Sequence, residues 1–391
     1  MLHRWIGLGI AAFLALAGVT GAVIAFQDEL DAALNPSLFV DPAGADRQPM
    51  RITELVAAVE IQLPHAEIFH VPVRHQAGVA RVLGVGARID ANTGKRHELA
   101  FNDVFASPVD GRVLGTREWG ALRVDRSHLI PFIYKLHMSL HLPGRWGTWI
   151  MGGVALAWFL DCFVGFYLTL PATRAVTRGK TFWQKWKPAW QIKRSGGAYR
   201  ASLDLHRAAG LYFWMVLAAV SVSGIYFNLR EEVFNPVLAL VSPVSPNPTD
   251  SLPRPAKRSA AVAIDYDAAL SAALRQLPAQ SRELSASGVS FLPDLRLYRV
   301  TFDHADRATA WFRVRFLQVF IDADTGQARA FHGTDTGTVG DIIAASQFPL
   351  HSGQILGLPG RILICVSGLL VAVLSGTGVV IWWKKRSARQ E

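Results

Sequence analysis

Residues 3–26 read HRWIGLGIAAFLALAGVTGAVIAF. A histidine and an arginine open the stretch, and an apolar run follows from Ile6 to Phe26. At roughly 1.5 Å per residue, that run crosses a hydrocarbon core of roughly 30 Å. It is long for the apolar core of a cleavable signal, and Ala22-x-x-Ala25 is a poor cleavage site. A retained anchor is therefore expected. The same opening recurs at His206-Arg207. In both places a glycine stands four residues after the histidine (Gly7, Gly210) and another eighteen after it (Gly21, Gly224). Two further apolar runs are preceded by Leu136-His137…Leu142-Pro143-Gly144-Arg145 and Leu350-His351…Leu358-Pro359-Gly360-Arg361. Each of four expected spans, at 5–26, 146–170, 207–228 and 361–383, thus has a histidine at or shortly before its start.

Composition agrees with a membrane protein that carries large aqueous portions. The 391 residues are 51% hydrophobic and only 18% charged, with mean hydropathy +0.24, too apolar for an ordinary soluble chain. The net charge of +10 is read through its placement. Segment 171–203 holds Arg174, Arg178, Lys180, Lys185, Lys187, Lys193, Arg194 and Arg200 with no acid, and the tail adds Lys384, Lys385, Arg386 and Arg389. Short basic segments beside apolar runs are cytoplasmic. This charge therefore reads as topology in a lipid bilayer rather than as nucleic-acid binding. Both termini and the 171–206 loop are expected inside, and 27–145 and 229–360 outside. Trp5, Trp146, Trp149, Trp382 and Trp383 sit at the run ends as interfacial anchors. Trp183, Trp186 and Trp190 share one face of an expected amphipathic helix on the membrane surface.

Other chemistries find no signal. Cys162 and Cys365 both lie in apolar runs, which excludes a disulfide framework or a cysteine metal cluster. No C-x-x-C-H occurs, so covalent haem attachment is excluded. No dinucleotide fingerprint, phosphate loop, nucleophile elbow or H-E-x-x-H occurs either.

The outer segments resemble each other. Ile89-Asp90-Ala91-Asn92-Thr93-Gly94 in the first corresponds to Ile321-Asp322-Ala323-Asp324-Thr325-Gly326 in the second. Both are hairpin turns flanked by alternating stretches, Val79–Ile89 and Leu295–Ile321. Helical patterns precede them at Ile52–Gln62 and Tyr266–Leu277. Each outer segment is expected to be a small α+β domain, and Val241–Pro255 reads as a linker.

The expected order is helix (1–26), outer α+β domain (27–145), helix (146–170), basic loop (171–206), helix (207–228), second outer domain (229–360), helix (361–383) and tail (384–391). This is a tandem repeat of helix, α+β domain and helix. Its halves would be related by a pseudo-twofold axis along the membrane normal. Such an axis brings His3 towards His206 on the inner side, and His137 or His141 towards His351 on the outer side.

Two imidazoles facing each other from separate helices are suited to the axial positions of haem b. The expectation is two haems, one near each membrane face, with His3, His206, His137 and His351 as iron ligands. His137 and His141 are one helical turn apart, and the sequence leaves open which of them pairs with His351. Arg4, Arg207, Arg145 and Arg361 are candidates for haem propionates. Asp161 lies within the second span, where a carboxyl is a functional candidate. The small residues Gly7, Gly18, Gly21, Gly210, Gly224, Ser221 and Ser223 leave room for a macrocycle or for close helix packing. The outer His65, His70, His75, His97, His128, His304 and His332 follow no metal spacing.

His3-Arg4-Trp5…Gly18-x-x-Gly21…Glu29-Leu30-Asp31…Asn35-Pro36 resembles the opening of the PepSY-associated transmembrane family. The Asp-x-x-Thr-Gly hairpins, Leu350-His351-Ser352-Gly353 and Trp382-Trp383-Lys384-Lys385 resemble that family too, so the likeness runs through nearly the whole chain. The resemblance implies PepSY-like outer domains in the periplasm and residence in a bacterial inner membrane. It also implies similarity to ferrisiderophore reductases of the FoxB type, which carry two b haems and reduce siderophore-bound Fe(III) on the periplasmic side. Carried onto this chain, His3 and His206 match the inner pair and His137 and His351 the outer pair. The expected partners are a ferric siderophore, bound in a cleft between the outer domains, and a cytoplasmic or quinone electron donor. A second expectation is a non-enzymatic membrane-anchored module, because PepSY domains elsewhere resemble peptide-binding or protease-regulating units. A third, a siderophore or iron transporter, rests on Asp161 alone.

Overall fold

The computed structural model describes residues 1–41, 47–90, 92–171, 181–193, 197–254, 262–304 and 314–388. The basic residues Arg174, Arg178, Lys180, Arg194 and Arg389 lie outside them. In chain order the first elements are α1 (Leu2–Ile24), α2 (Gln27–Leu34), α3 (Pro36–Phe39) and α4 (Ile52–Gln62). Strands β1 (Ala66–Pro72), β2 (Arg81–Ala87), β3 (Asp103–Ala106) and β4 (Val113–Arg117) follow. Then come α5 (Leu129–Ser139), α6 (Trp146–Thr169), α7 (Phe182–Trp186), α8 (Gly197–Asn228), α9 (Asn235–Leu238), α10 (Pro248–Ser251) and α11 (Tyr266–Arg275). The chain ends with β5 (Ser285–Leu292), β6 (Leu297–Asp303), β7 (Phe316–Asp322), β8 (Ala328–Gly333), α12 (Val339–Ser352) and α13 (Gly357–Ser387). Two compact units result. One comprises Met1–Phe26, Ile133–Val237 and Ser346–Glu391, the other Gln27–Phe132 and Leu238–Ala345.

The second unit corrects the expectation of two outer domains. Its strands form one antiparallel sheet in the order β4-β3-β2-β1-β5-β6-β7-β8. The junction is the β1–β5 pair, where His70 faces Ser290, Val71 faces Val289 and Pro72 faces Gly288. Separate four-stranded sheets would each expose an edge strand with unpaired backbone groups, and pairing β1 with β5 removes both edges. It also joins the apolar faces. Leu55 and Val59 of α4 and Ala269 and Ala273 of α11 share one core with Ile68, Leu83, Val300 and Phe302. The pairing makes one sheet of the two halves, and a pocket of about 380 Å³ lined by Thr53, Glu60, Asp265, Tyr266 and Tyr298 remains where α4 meets the start of α11.

The two predicted turns form alike. Asp90 Oδ1 accepts from the backbone N–H of Asn92 and Thr93, and Asp322 Oδ1 from those of Asp324 and Thr325. Each turn closes on a left-handed glycine, Gly94 (φ 66°) or Gly326 (φ 71°).

His70 supplies a pH handle on this unit. Its ring packs against Gly288 and hydrogen-bonds Ser290 Oγ at 2.9 Å. Burial, with help from the Arg299 guanidinium, holds its pKa below the ordinary 6.5. The unfolded chain therefore takes up a proton near pH 6.5 that the folded unit refuses. The stability owed to neutral His70 is present above that pH and is lost as pH falls towards the folded value. Thermal melts of the wild type should weaken between neutral and mildly acidic pH, and His70→Gln should flatten that limb.

Among the described residues the first unit contains four helices long and apolar enough to cross a membrane, α1, α6, α8 and the segment ending in α13. Their ends differ from the expected spans. α8 starts at Gly197, ten residues before 207, because Asp204 is fully buried and held by Arg200 and Arg207. That charged stretch, from Arg200 to Arg207, has no hydropathy signal. Helix α1 packs on α13 and α6, and α8 packs on α6 and α13. Helices α1 and α8 therefore stand across a diagonal of the bundle. At the α1–α13 crossing, Gly18 and Gly368 bring backbone against backbone, the small-residue contact used by membrane helices.

Candidate functional site

The bundle brings the predicted histidines together in two pairs. His3 and His206 have ring centres 6.0 Å apart with planes at 61°, and His137 and His351 are 6.1 Å apart at 66°. Ile133–Arg145 and the segment from Ser346 belong to the bundle unit rather than to the sheet unit. This assignment carries His137 and His351 in with the helices. It is His137 that pairs with His351. His141 lies beyond the end of α5, where Leu140 and His141 both take left-handed backbone (φ 55° and 54°).

Every one of the four rings is tethered through Nδ1, and the acceptors fix the tautomer. His206 Nδ1 lies 3.0 Å from the carbonyl of Leu374, which can only accept, so Nδ1 carries the hydrogen. His3 Nδ1 donates to Asp161 Oδ2 at 2.9 Å. Thr20 gives its hydroxyl hydrogen to the Leu16 carbonyl at 2.7 Å and so accepts from His137 Nδ1 at 3.0 Å. Ser223 likewise donates to the Val220 carbonyl at 2.8 Å and accepts from His351 Nδ1 at 2.7 Å. Thr377 adds a second acceptor for His206 at 3.1 Å. In all four rings Nε2 is left with its lone pair, the state in which imidazole binds a metal.

The contacts recur at matching places. Thr20 stands 17 residues after His3, and Ser223 stands 17 after His206. Along a helix that spacing is about 25 Å, which separates the two pairs by most of a bilayer core. His3 is tethered by Asp161 and lies against Gly165, four residues on; His206 is tethered by Leu374 and lies against Gly378, again four on. Gly21 leaves space for the His137 ring, since an added Cβ would meet its Cε1 at 3.1 Å. The two hydroxyl tethers escaped the sequence reading, although their 17-residue offset was present there. Asp161, left open by the sequence, has His3 as its partner.

A cavity of about 710 Å³ surrounds the His3/His206 pair. Its walls include Gly7, Gly210, Trp158, Trp214, Leu374 and Gly378, while Arg4, Arg207, Lys385 and Arg386 are its basic residues. Arg4 and Arg207 each have a buried Nε with no hydrogen-bond partner among the described residues, as has Asp161 Oδ1. Arg207 also donates through Nη2 to the Pro188 carbonyl at 2.7 Å and to Asp204 at 3.1 Å, and the remaining two candidate arginines have partners as well. Arg145 pairs with Glu232 at 2.6 Å, and Arg361 Nε donates to the Ala25 carbonyl at 2.9 Å. The tryptophan helix is not free on the membrane surface as expected. Trp186 is buried against Phe166, Leu211 and Trp190, and only Trp183 of the three is largely exposed.

Residues 1–385 match the family model for the PepSY-associated TM region. The chain belongs to this family. No curated relative matches it in sequence. Membership gives the chain a membrane-spanning class consistent with its four apolar helices. The paired imidazoles are what this member places inside its bundle.

The arrangement fits a group with two open axial positions. Across such a group, two metal–nitrogen bonds of about 2.0 Å each, plus about 1.1 Å from each nitrogen to its ring centre, give about 6 Å. Both observed pairs meet that figure. The cavity volume falls within the roughly 300–1,000 Å³ of cofactor sites. The unpartnered guanidinium nitrogens suit an anionic rim. Among the described residues no cluster of three or more His, Cys, Asp or Glu forms a bare-metal site.

Proposed function

We propose that this protein is a transmembrane electron-transfer protein holding two b haems, and that it reduces a ferric chelate of the siderophore class to release Fe(II). The observation that carries the reading is the set of four imidazoles, each tethered at Nδ1 and with no hydrogen bond at Nε2 among the described residues, in two pairs about 6 Å apart. His3 and His206 would hold one haem, and His137 and His351 the other. When bound, each haem supplies a reversible one-electron couple.

The chain's own residues do the rest. Asp161, Leu374, Thr20 and Ser223 fix ring orientation and tautomer. Trp158, Trp214 and the apolar helix faces exclude water and set the local dielectric. Arg4 and Arg207 would meet the carboxylates of the first group. In this reading the first pair and both termini face the cytoplasmic side of a bacterial inner membrane, within reach of a soluble or quinone donor, and the basic segments beside the apolar runs support it. The second pair then lies on the periplasmic side. The equal 17-residue offsets, and strands ordered alike on either side of the β1–β5 junction, support two copies of one helix–sheet–helix repeat. Reduction releases iron because oxygen-rich chelators hold hard Fe(III) better than Fe(II).

The test is reconstitution of the haem-loaded protein in vesicles with a reductant sealed on the cytoplasmic side and a ferric chelate on the other. A chromophoric Fe(II) trap outside should colour with protein and stay colourless in empty vesicles. Haem-loaded vesicles that reduce no ferric chelate would leave electron transfer without this substrate.

A further inference from the structure

The two histidine pairs differ in one feature of their tethers. Three of the four rings donate Nδ1–H to neutral oxygens, those of Thr20, Ser223 and Leu374 with Thr377. Only His3 donates to a carboxylate, Asp161 Oδ2 at 2.9 Å. The contrast is sharpest within the first pair. Asp161 and Leu374 hold corresponding places, each four residues before the glycine on which its histidine rests. A carboxylate therefore stands where the other half offers a peptide carbonyl. Asp161 is 7% exposed, and its Oδ1 has no hydrogen-bond partner among the described residues. Among the described residues no guanidinium is paired with it.

We infer that Asp161 is a positioning residue that sets the His3/His206 centre at the lower potential of the two, so that an electron arriving there passes on to the His137/His351 centre. The inference rests on the haem reading above and adds to it a direction. A carboxylate acceptor draws the Nδ1 hydrogen towards itself and makes the ring a stronger donor through Nε2. Stronger donation and a nearby negative charge both favour the ferric over the ferrous state, which lowers the potential. The charge acts in a poorly screened interior, where its effect is larger than in water. Arg4, Arg207, Lys385 and Arg386 line the same cavity and act in the opposite sense. Arg207 is already paired with Asp204 at 3.1 Å, whereas Asp161 touches the ligand ring itself.

The experiment is a potentiometric titration of the full-length, haem-loaded protein followed in the visible spectrum. The wild type should titrate in two steps. Asp161→Asn keeps an acceptor for His3 without the charge. It should raise the lower midpoint by about 59 mV or more, the equivalent of about a tenfold change in the reduction equilibrium. The upper midpoint and the haem count should stay as they are. Asp161→Ser, a copy of the hydroxyl tethers, stands in should the asparagine variant fail to load. An unchanged lower midpoint in a variant with both haems overturns the inference. Loss of haem from both the Asn and Ser variants would make Asp161 a requirement for loading and overturn it too. A haem-free wild type would instead remove the reading on which the inference rests.

Discussion

His351→Ala should halve the haem content of the purified protein, from about two per chain to about one, and leave a spectrum belonging to His3 and His206 alone. The separation of the pairs makes the loss selective. Thr20 and Ser223, the tethers of His137 and His351, stand 17 residues along α1 and α8 from His3 and His206, about 25 Å along the helix axis. A cofactor held only by two imidazoles and apolar packing loses half its iron ligands with one substitution. His137→Ala should give the same count, and the double variant should lose no more than either single one. His141→Ala should retain both haems, since His137 is the ring that faces His351. Pyridine haemochrome quantification against protein concentration measures each case. Should His141→Ala rather than His137→Ala halve the count, the pairing described here would be wrong.

Gly18→Leu should have the other large effect, on the bundle itself. A Cβ at Gly18 runs into the backbone carbonyl of Gly368, and a Cβ at Gly368 would lie 2.5 Å from the Gly18 carbonyl oxygen. Backbone meets backbone there, so no side chain can swing aside. Overpacking of this kind costs about 1–3 kcal/mol where neighbours can relax, and more where they cannot. Helix α1 carries both His3 and Thr20, so forcing it off α13 disturbs both histidine pairs at once. The expected result is a lower melting temperature in detergent together with loss of haem from both centres. Gly9→Ala is the control, because an added Cβ there meets nothing within 4 Å. A Gly18→Leu protein that melts like the wild type would show that the α1–α13 crossing is not close.

Much of this was legible before the fold. The repeated His-Arg openings and the Leu-Pro-Gly-Arg turns located four helices and the inner pair, and left the outer pair open between His137 and His141, because a repeated unit sets the same residue at the same height in each half. The two Asp-x-x-Thr-Gly turns were legible for the same kind of reason, since a left-handed glycine and a side-chain acceptor form them locally. What escaped was non-local. The pairing of β1 with β5 has no signature in either strand, because an alternating strand shows which face is buried and not which neighbour lies beside it. The early start of α8 was hidden because Asp204 is buried against two arginines and looks, in sequence, like a surface residue. Asp161 was visible as an intramembrane carboxyl, but only the packing of α1 on α6 supplies His3 as its partner. The choice between His137 and His141 turned on two left-handed residues that end α5 between them, which helical spacing alone could not predict.

The central claim, that the paired imidazoles hold haem, is tested most directly by one visible absorption spectrum of the protein purified from a haem-replete host. The sample is recorded oxidised and then reduced with dithionite. The expected result is a low-spin b-type spectrum with sharpened bands on reduction and about two haems per chain. A folded, haem-free protein from that host would contradict it.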